Sequence, residues 1–184
     1  MKHSILDLHP YRNACAATCD YERTEGSMNA WGNSFPAEEM PSGRNVAVHG
    51  IPFFVMPKSI TGDHLESLGQ TLPSSVRCPV SGAAFLCCGE MGDQELEIEF
   101  RGEKTISIWV RTKGWLVDDK GALRAGTASL VFSHLHYPGD YELSLLRPVI
   151  WMHSMPFKEP MYVEKLTLGF NPLFHVFAIT LFHS

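Results

Sequence analysis

Three histidines are spaced so that they could do chemistry together. His134 and His136 are one residue apart, and successive side chains of a strand point to opposite faces, so on a strand both imidazoles share a face. By the same count Trp151, His153 and Met155 share a face of the next apolar run. Imidazole titrates close to neutral pH, so if the chain is an enzyme, His134, His136 and His153 are its acid/base candidates for an elimination, isomerisation or cyclisation. Tyr137 and Arg147 stand nearby as donors to an oxyanion. The same histidines would take a divalent metal if His153 arrived at about 2.0–2.1 Å from an ion held by the other two. A cupin-like site also needs a glutamate a few residues on, and Glu142 lies beyond a turn. No metal is therefore expected, and a polar metal-free pocket competes with ordinary surface or core histidines.

The four tryptophans, Trp31, Trp109, Trp115 and Trp151, matter because the C–H faces of sugar rings stack on flat indoles. Trp31 and Trp115, each beside a glycine in loop-like sequence, are the stronger stacking candidates, while core packing is the plainer fate of Trp109 and Trp151. Asn33 and Arg111, with Asp63 and His64, offer polar contacts. Other signatures are absent: there is no Gly-x-Ser-x-Gly, no P-loop, no dinucleotide fingerprint and no His-Glu-x-x-His. Glu95, Glu97 and Glu99 share a strand face, which marks a wet surface and not a glycosidase pair, since that pair needs one neutral acid opposite one base.

The elements that must hold these residues are strands. Residues 94–100 alternate strictly and turn at 101–104 into residues 105–111, a hairpin in which a direct four-residue loop pairs Leu96 with Trp109 and a one-residue shift moves Trp109 to the other face. Residues 80–88 and 171–181 are apolar on both faces and read as central strands. Residues 45–48 and 51–56 flank His49-Gly50 as a tight pair. Shorter strands are expected at 6–11 and 67–73, and one helical turn capped by Ser34 before Pro41. Residues 129–137 and 148–157 form the histidine-bearing pair, joined by a Pro138-Gly139-Asp140 loop. Nine or ten short strands without a long helical period mean two packed antiparallel sheets.

At 184 residues and 45% hydrophobic, a single domain over residues 1–184 is the default. A net charge of -5 without a basic run disfavours nucleic acid and anionic membrane as partners. No signal-like segment opens the chain, no apolar run approaches a membrane span, and five cysteines cannot all pair, so free thiols and a cytoplasmic location are expected. Cys15-x3-Cys19 has no second pair to complete a zinc site.

The segments at 33–41, 50–53, 67–73, 150–156 (Ile-Trp-Met-His-Ser-Met-Pro) and 171–181 (Asn-Pro-Leu-Phe-His-Val-Phe-Ala-Ile-Thr-Leu) fall in an order that resembles the galactose-binding-like jelly roll. That sandwich is often attached to bacterial glycoside hydrolases as a carbohydrate-binding module. The resemblance spans about residues 7–181 and implies a scaffold role for Gly69-Gln70 and residues 177–180, and a structural one for His175. Relatives of this kind often carry a structural calcium, but no Asp-x-Asp-x-Asp run is present here, so no cofactor is expected and calcium remains the one exception the resemblance leaves open. The expectation is an all-β, antiparallel two-sheet sandwich that binds a saccharide or similar polar small molecule. Its ligand-binding residues are Trp31, Asn33, Trp109, Arg111, Trp115, Tyr137, Arg147 and Trp151. The alternative is a small lyase, isomerase or cyclase in small-molecule biosynthesis.

Overall fold

The two long apolar runs become neighbouring strands whose faces are both covered. A computed structural model describes residues 2–118, 120, 129–138, 142–143 and 145–183. Its strands are β1 Lys2–Ile5, β2 Ala17–Thr18, β3 Phe35–Pro36, β4 Arg44–Val48, β5 Ile51–Val55, β6 Leu65–Leu68, β7 Thr71–Pro73, β8 Val80–Gly89 and β9 Gln94–Gly102. They continue as β10 Thr105–Thr112, β11 Leu116–Val117, β12 Ser129–Val131, β13 Leu135–His136, β14 Glu142–Leu143, β15 Arg147–Met161, β16 Val163–Leu168 and β17 Phe170–His183. The larger sheet runs β1-β17-β8-β15-β11, with β12 on β15 and β6 on β17, and a four-stranded sheet runs β10-β9-β16-β7. Except for the short parallel pair β2–β3, the strand pairs are antiparallel, and the chain is an all-β sandwich.

Alternation along β8 divides the core in two. Ala83, Phe85 and Cys87 join the core between the two sheets, whereas Ala84, Leu86 and Cys88 join a second core on the opposite face of the larger sheet. That second core is roofed by β3, β5 and β13 through Phe35, Phe53 and Leu135. A bulge between Val176 and Ala178 of β17 inserts one residue, so Phe174 and Val176 face the first core before it and Ile179 and Leu181 after it. Phe177 is thereby delivered to the second core, edge-on to Phe35 and stacked on His64.

Several local expectations change. Residues 6–11 are not a strand: the edge strand is β1, and His9–Tyr11 is a 3-10 turn with Pro10 near its start. Residues 67–73 split at Gly69, whose φ of 84° turns the chain so that β6 pairs with β17 and β7 with β16. Ser34 does not cap a helix; Phe35–Pro36 is extended and a turn after it closes Met40 N onto Pro36 O at 3.2 Å. The run at 129–137 breaks into β12 and β13, and the Gly139-Asp140 part of the expected loop lies outside the described residues. His49 (φ 51°) and Gly50 (φ 79°) do form the tight turn between β4 and β5.

The loop layer over the second core is tied down by a buried polar chain. Asp63, offered by the sequence as a polar contact for a ligand, is instead 3% exposed and accepts the backbone N–H groups of Ala16 (2.8 Å) and Ala17 (2.9 Å). Its Oδ1 also meets His64 Nδ1 at 2.9 Å, and His64 Nε2 meets His175 Nδ1 at 2.9 Å. With His64 Nδ1–H donating to Asp63, His64 Nε2 accepts from His175 Nδ1–H, which gives the structural role implied for His175 one partner. These bonds fix the backbone that leads into β2, and therefore the position of Thr18.

Removing one member leaves buried partners bare, so His64→Ala should lower unfolding free energy by about 3 kcal/mol in urea titration; wild-type stability would show that the chain of bonds is dispensable. Burial, then the neighbouring His64, holds the His175 imidazole well below its ordinary range. The unfolded chain therefore takes up a proton at His175 before the folded one does. Its contribution is intact above about pH 6.5 and falls by about 1.4 kcal/mol per pH unit below that. Chemical denaturation between pH 5 and 8 should show this slope in wild type and a shallower one in His175→Gln.

Candidate functional site

Two polar constellations divide the three candidate histidines between them. The first is a groove of about 560 Å³ where strand ends meet. Gln94 and Glu95 of β9, Arg111 of β10, Lys113 just beyond it, His153 of β15 and Asn171 of β17 line it. The hairpin β9–β10 pairs Leu96 with Val110, one step from the direct four-residue register, because the chain reverses through three residues after Arg101. That step turns Trp109 outward, 54% exposed and opposite Glu97, with Arg111 two residues on along the same face. Arg111 Nε donates to Glu95 Oε2 at 3.0 Å, and Asn171 Nδ2 donates to Gln94 Oε1 (3.2 Å) and Glu95 O (3.0 Å).

His153 is half-buried behind this wall. Thr112 Oγ1 donates to Cys87 O at 3.3 Å, so its oxygen accepts from His153 Nε2–H at 3.1 Å and leaves Nδ1 as the bare nitrogen. Burial first, and then Lys113, push the His153 imidazole below its ordinary range, so it is neutral at pH 7. Trp151 is 9% exposed, donates Nε1–H to Gly114 O at 3.0 Å and carries Lys113 Nζ 5.3 Å above its ring.

The second constellation surrounds His136. His134 and His136 do come together, their ring centroids 5.0 Å apart, but neither shares a hydrogen-bond partner or ring contact with His153 among the described residues. The expected convergence of all three therefore fails, since β13 pairs with β14 and bridges to Ser34 instead of lying along β15. His136 is fully buried, its Nδ1 3.1 Å from Thr18 Oγ1, which is 2.6 Å from Ser34 Oγ. Burial, followed by the Arg23 guanidinium, holds His136 below its ordinary range. His134 Nδ1 bonds Ser133 Oγ at 2.7 Å and lies 3.5 Å from Glu39, which also accepts both the N–H and the hydroxyl of Ser133.

Asp20, Glu38 and Glu39 were not among the sequence candidates. No spacing links residues 20, 38 and 136; the parallel register of β2 on β3 and the Ser34–His136 bridge bring them together.

The remaining candidates scatter. Trp115 is 1% exposed and packs on Phe35 at 5.1 Å, because a bridge between Gly114 and Gly89 turns it inward; it cannot serve as a sugar platform. Asn33 is likewise buried, within the turn that Asn29 Oδ1 organises. Trp31, in that same turn, is exposed, and Tyr137 and Arg147 are half-buried. A furrow of about 650 Å³ between β10 and the far half of β15 is walled by Ile106, Ile108, Pro156 and Phe157 and contains none of the candidates.

Among the described residues no helix is long and apolar enough to cross a membrane. No curated protein matches the chain. The AziU2-like beta-sandwich domain family matches residues 2–184, in agreement with the two-sheet architecture, and the chain belongs to that family.

Proposed function

We propose that this protein binds a saccharide or a similarly polar small molecule in the groove at Arg111 and His153. The observation that carries this reading is that polar side chains from four strands surround one hollow of about 560 Å³, within the size range of small-molecule sites. Gln94, Glu95, Arg111, Lys113, His153 and Asn171 present both donors and acceptors, as a polyhydroxylated ligand requires. Trp109, about 7 Å along the strand from Arg111, adds an exposed indole on the same face. The resemblance to galactose-binding-like jelly rolls supports the same class of ligand. Five free thiols suit a reducing compartment, and we place the chain in the cytoplasm on that ground.

A second reading, a small lyase, isomerase or cyclase, draws on His153, a neutral imidazole with one uncommitted nitrogen beside Lys113 and within the groove. The two readings separate experimentally, since a binder needs His153 only as one contact among several.

Calorimetric titration with mono- and disaccharides should find a ligand whose affinity drops about tenfold in Trp109→Ala and in Arg111→Ala, with unchanged folding by circular dichroism. A sugar panel without any binder, or a binder indifferent to both changes, would sink the groove as a saccharide site. Once a ligand is known, His153→Gln should alter its affinity by less than about tenfold in a binder. Loss of turnover in that variant with binding retained would favour the enzyme reading.

A further inference from the structure

His136 has one nitrogen engaged and one that is not. The backbone on either side is clamped, since His136 N donates to Ser34 O and Ser34 N to His136 O, each at 3.1 Å. Thr18 Oγ1 takes the Nδ1 side of the ring. Nε2, fully buried, makes no hydrogen bond among the described residues, although Asp20 Oδ1 stands 3.3 Å away; the contact has the distance of a bond without its direction. An imidazole whose Nδ1–H is held by an outer hydroxyl and whose Nε2 offers a bare lone pair is arranged as metal-ligating histidines are, with the second nitrogen fixing tautomer and ring orientation.

What stands before that lone pair is suited to a cation. One oxygen each from Asp20 and Glu38 lies with the histidine nitrogen so that all three atoms are within 4.8 Å of one another. Donor atoms on a zinc-sized ion sit roughly 3.3 Å apart, so closure asks for shifts of about 1.5 Å at most. Both carboxylates are exposed, Asp20 being held by its pair with Arg23, while the buried histidine stays where it is. Asp20 Oδ1, the oxygen 3.3 Å from His136 Nε2, also accepts from Arg23 Nη2 at 2.8 Å, so an ion would share that oxygen with the guanidinium or take the second carboxylate oxygen after a rotation. Asp20 and Glu38 at His136 and Glu39 at His134 set three carboxylates around the histidine pair, with the Arg23 guanidinium on Asp20, and a divalent ion offsets negative charge there.

We propose that Asp20, Glu38 and His136 Nε2 bind a divalent transition-metal ion of the zinc type, with a fourth position open to water or a ligand oxygen. One imidazole with two carboxylates suits borderline ions better than calcium, which takes six or more oxygens. The thiols Cys15 and Cys19 are not part of the set. This site uses none of the groove's residues, so it stands or falls separately from the saccharide reading.

The test is calorimetry of the full chain, stripped by a chelator and titrated with zinc chloride, with cobalt(II) absorption as a second readout. One equivalent should bind with a dissociation constant of about 1 μM or tighter. Asp20→Asn and Glu38→Gln, both at exposed positions, should each weaken it about tenfold or more while leaving the circular dichroism unchanged. His136→Gln should abolish it, and the double variant Cys15→Ser, Cys19→Ser should bind as the wild type does. No binding tighter than roughly 100 μM, affinity unmoved by both carboxylate variants, or a thiolate charge-transfer band from cobalt that disappears in the double cysteine variant would each overturn the assignment.

Discussion

Burial of the central sheet on both faces is the constraint from which the other features follow. β8 and β17 carry apolar side chains above and below, so each face requires a cover, and the chain supplies two of different kinds. One is the regular β10-β9-β16-β7 sheet, whose backbone groups are satisfied by its own ladder. The other is assembled from short strands and loops, which cannot satisfy all their own N–H groups. Asp63 accepts two of those, and the His64–His175 pair links the carboxylate to the central strand. An unpaired polar group at that depth is costly, and the chain of bonds pairs both oxygens of Asp63 and both ring nitrogens of His64, with His175 Nε2 as its bare end.

The groove and the His136 cluster inherit this difference. Groove residues stand on the ends of long paired strands, where the ladders hold their backbones rigidly, and the hollow is a consequence of how β9, β10, β15 and β17 finish. The His136 cluster instead gathers side chains from three remote segments of the irregular layer, and its order depends on the clamps at Thr18, Ser34 and Asp63. A rigid polar hollow suits recognition of a ligand's shape. A buried imidazole facing two exposed carboxylates suits an ion that draws flexible oxygens inward.

The aromatic residues show how small backbone features redirect large side chains. A one-residue difference in hairpin register places Trp109 in solvent, and one bulge in β17 sends Phe177 into the second core. Trp115, beside a glycine and therefore loop-like in sequence, is drawn inside because that glycine lies against Gly89 and brings the following residue over the second core.

From the residues alone came the all-β class, the central position of residues 80–88 and 171–181, the hairpin at 94–111 and the His49-Gly50 turn. These rest on alternation and turn chemistry, which act between near neighbours and leave a periodic trace. The pairing of His134 with His136 was legible for the same reason. What only the tertiary structure decided was which distant segments meet: His153 joining Arg111 and Asn171 around a groove, and Asp20 and Glu38 closing on His136. No local period records such meetings, because they depend on strand register, a bulge and a parallel two-residue pairing whose partners lie far apart along the chain.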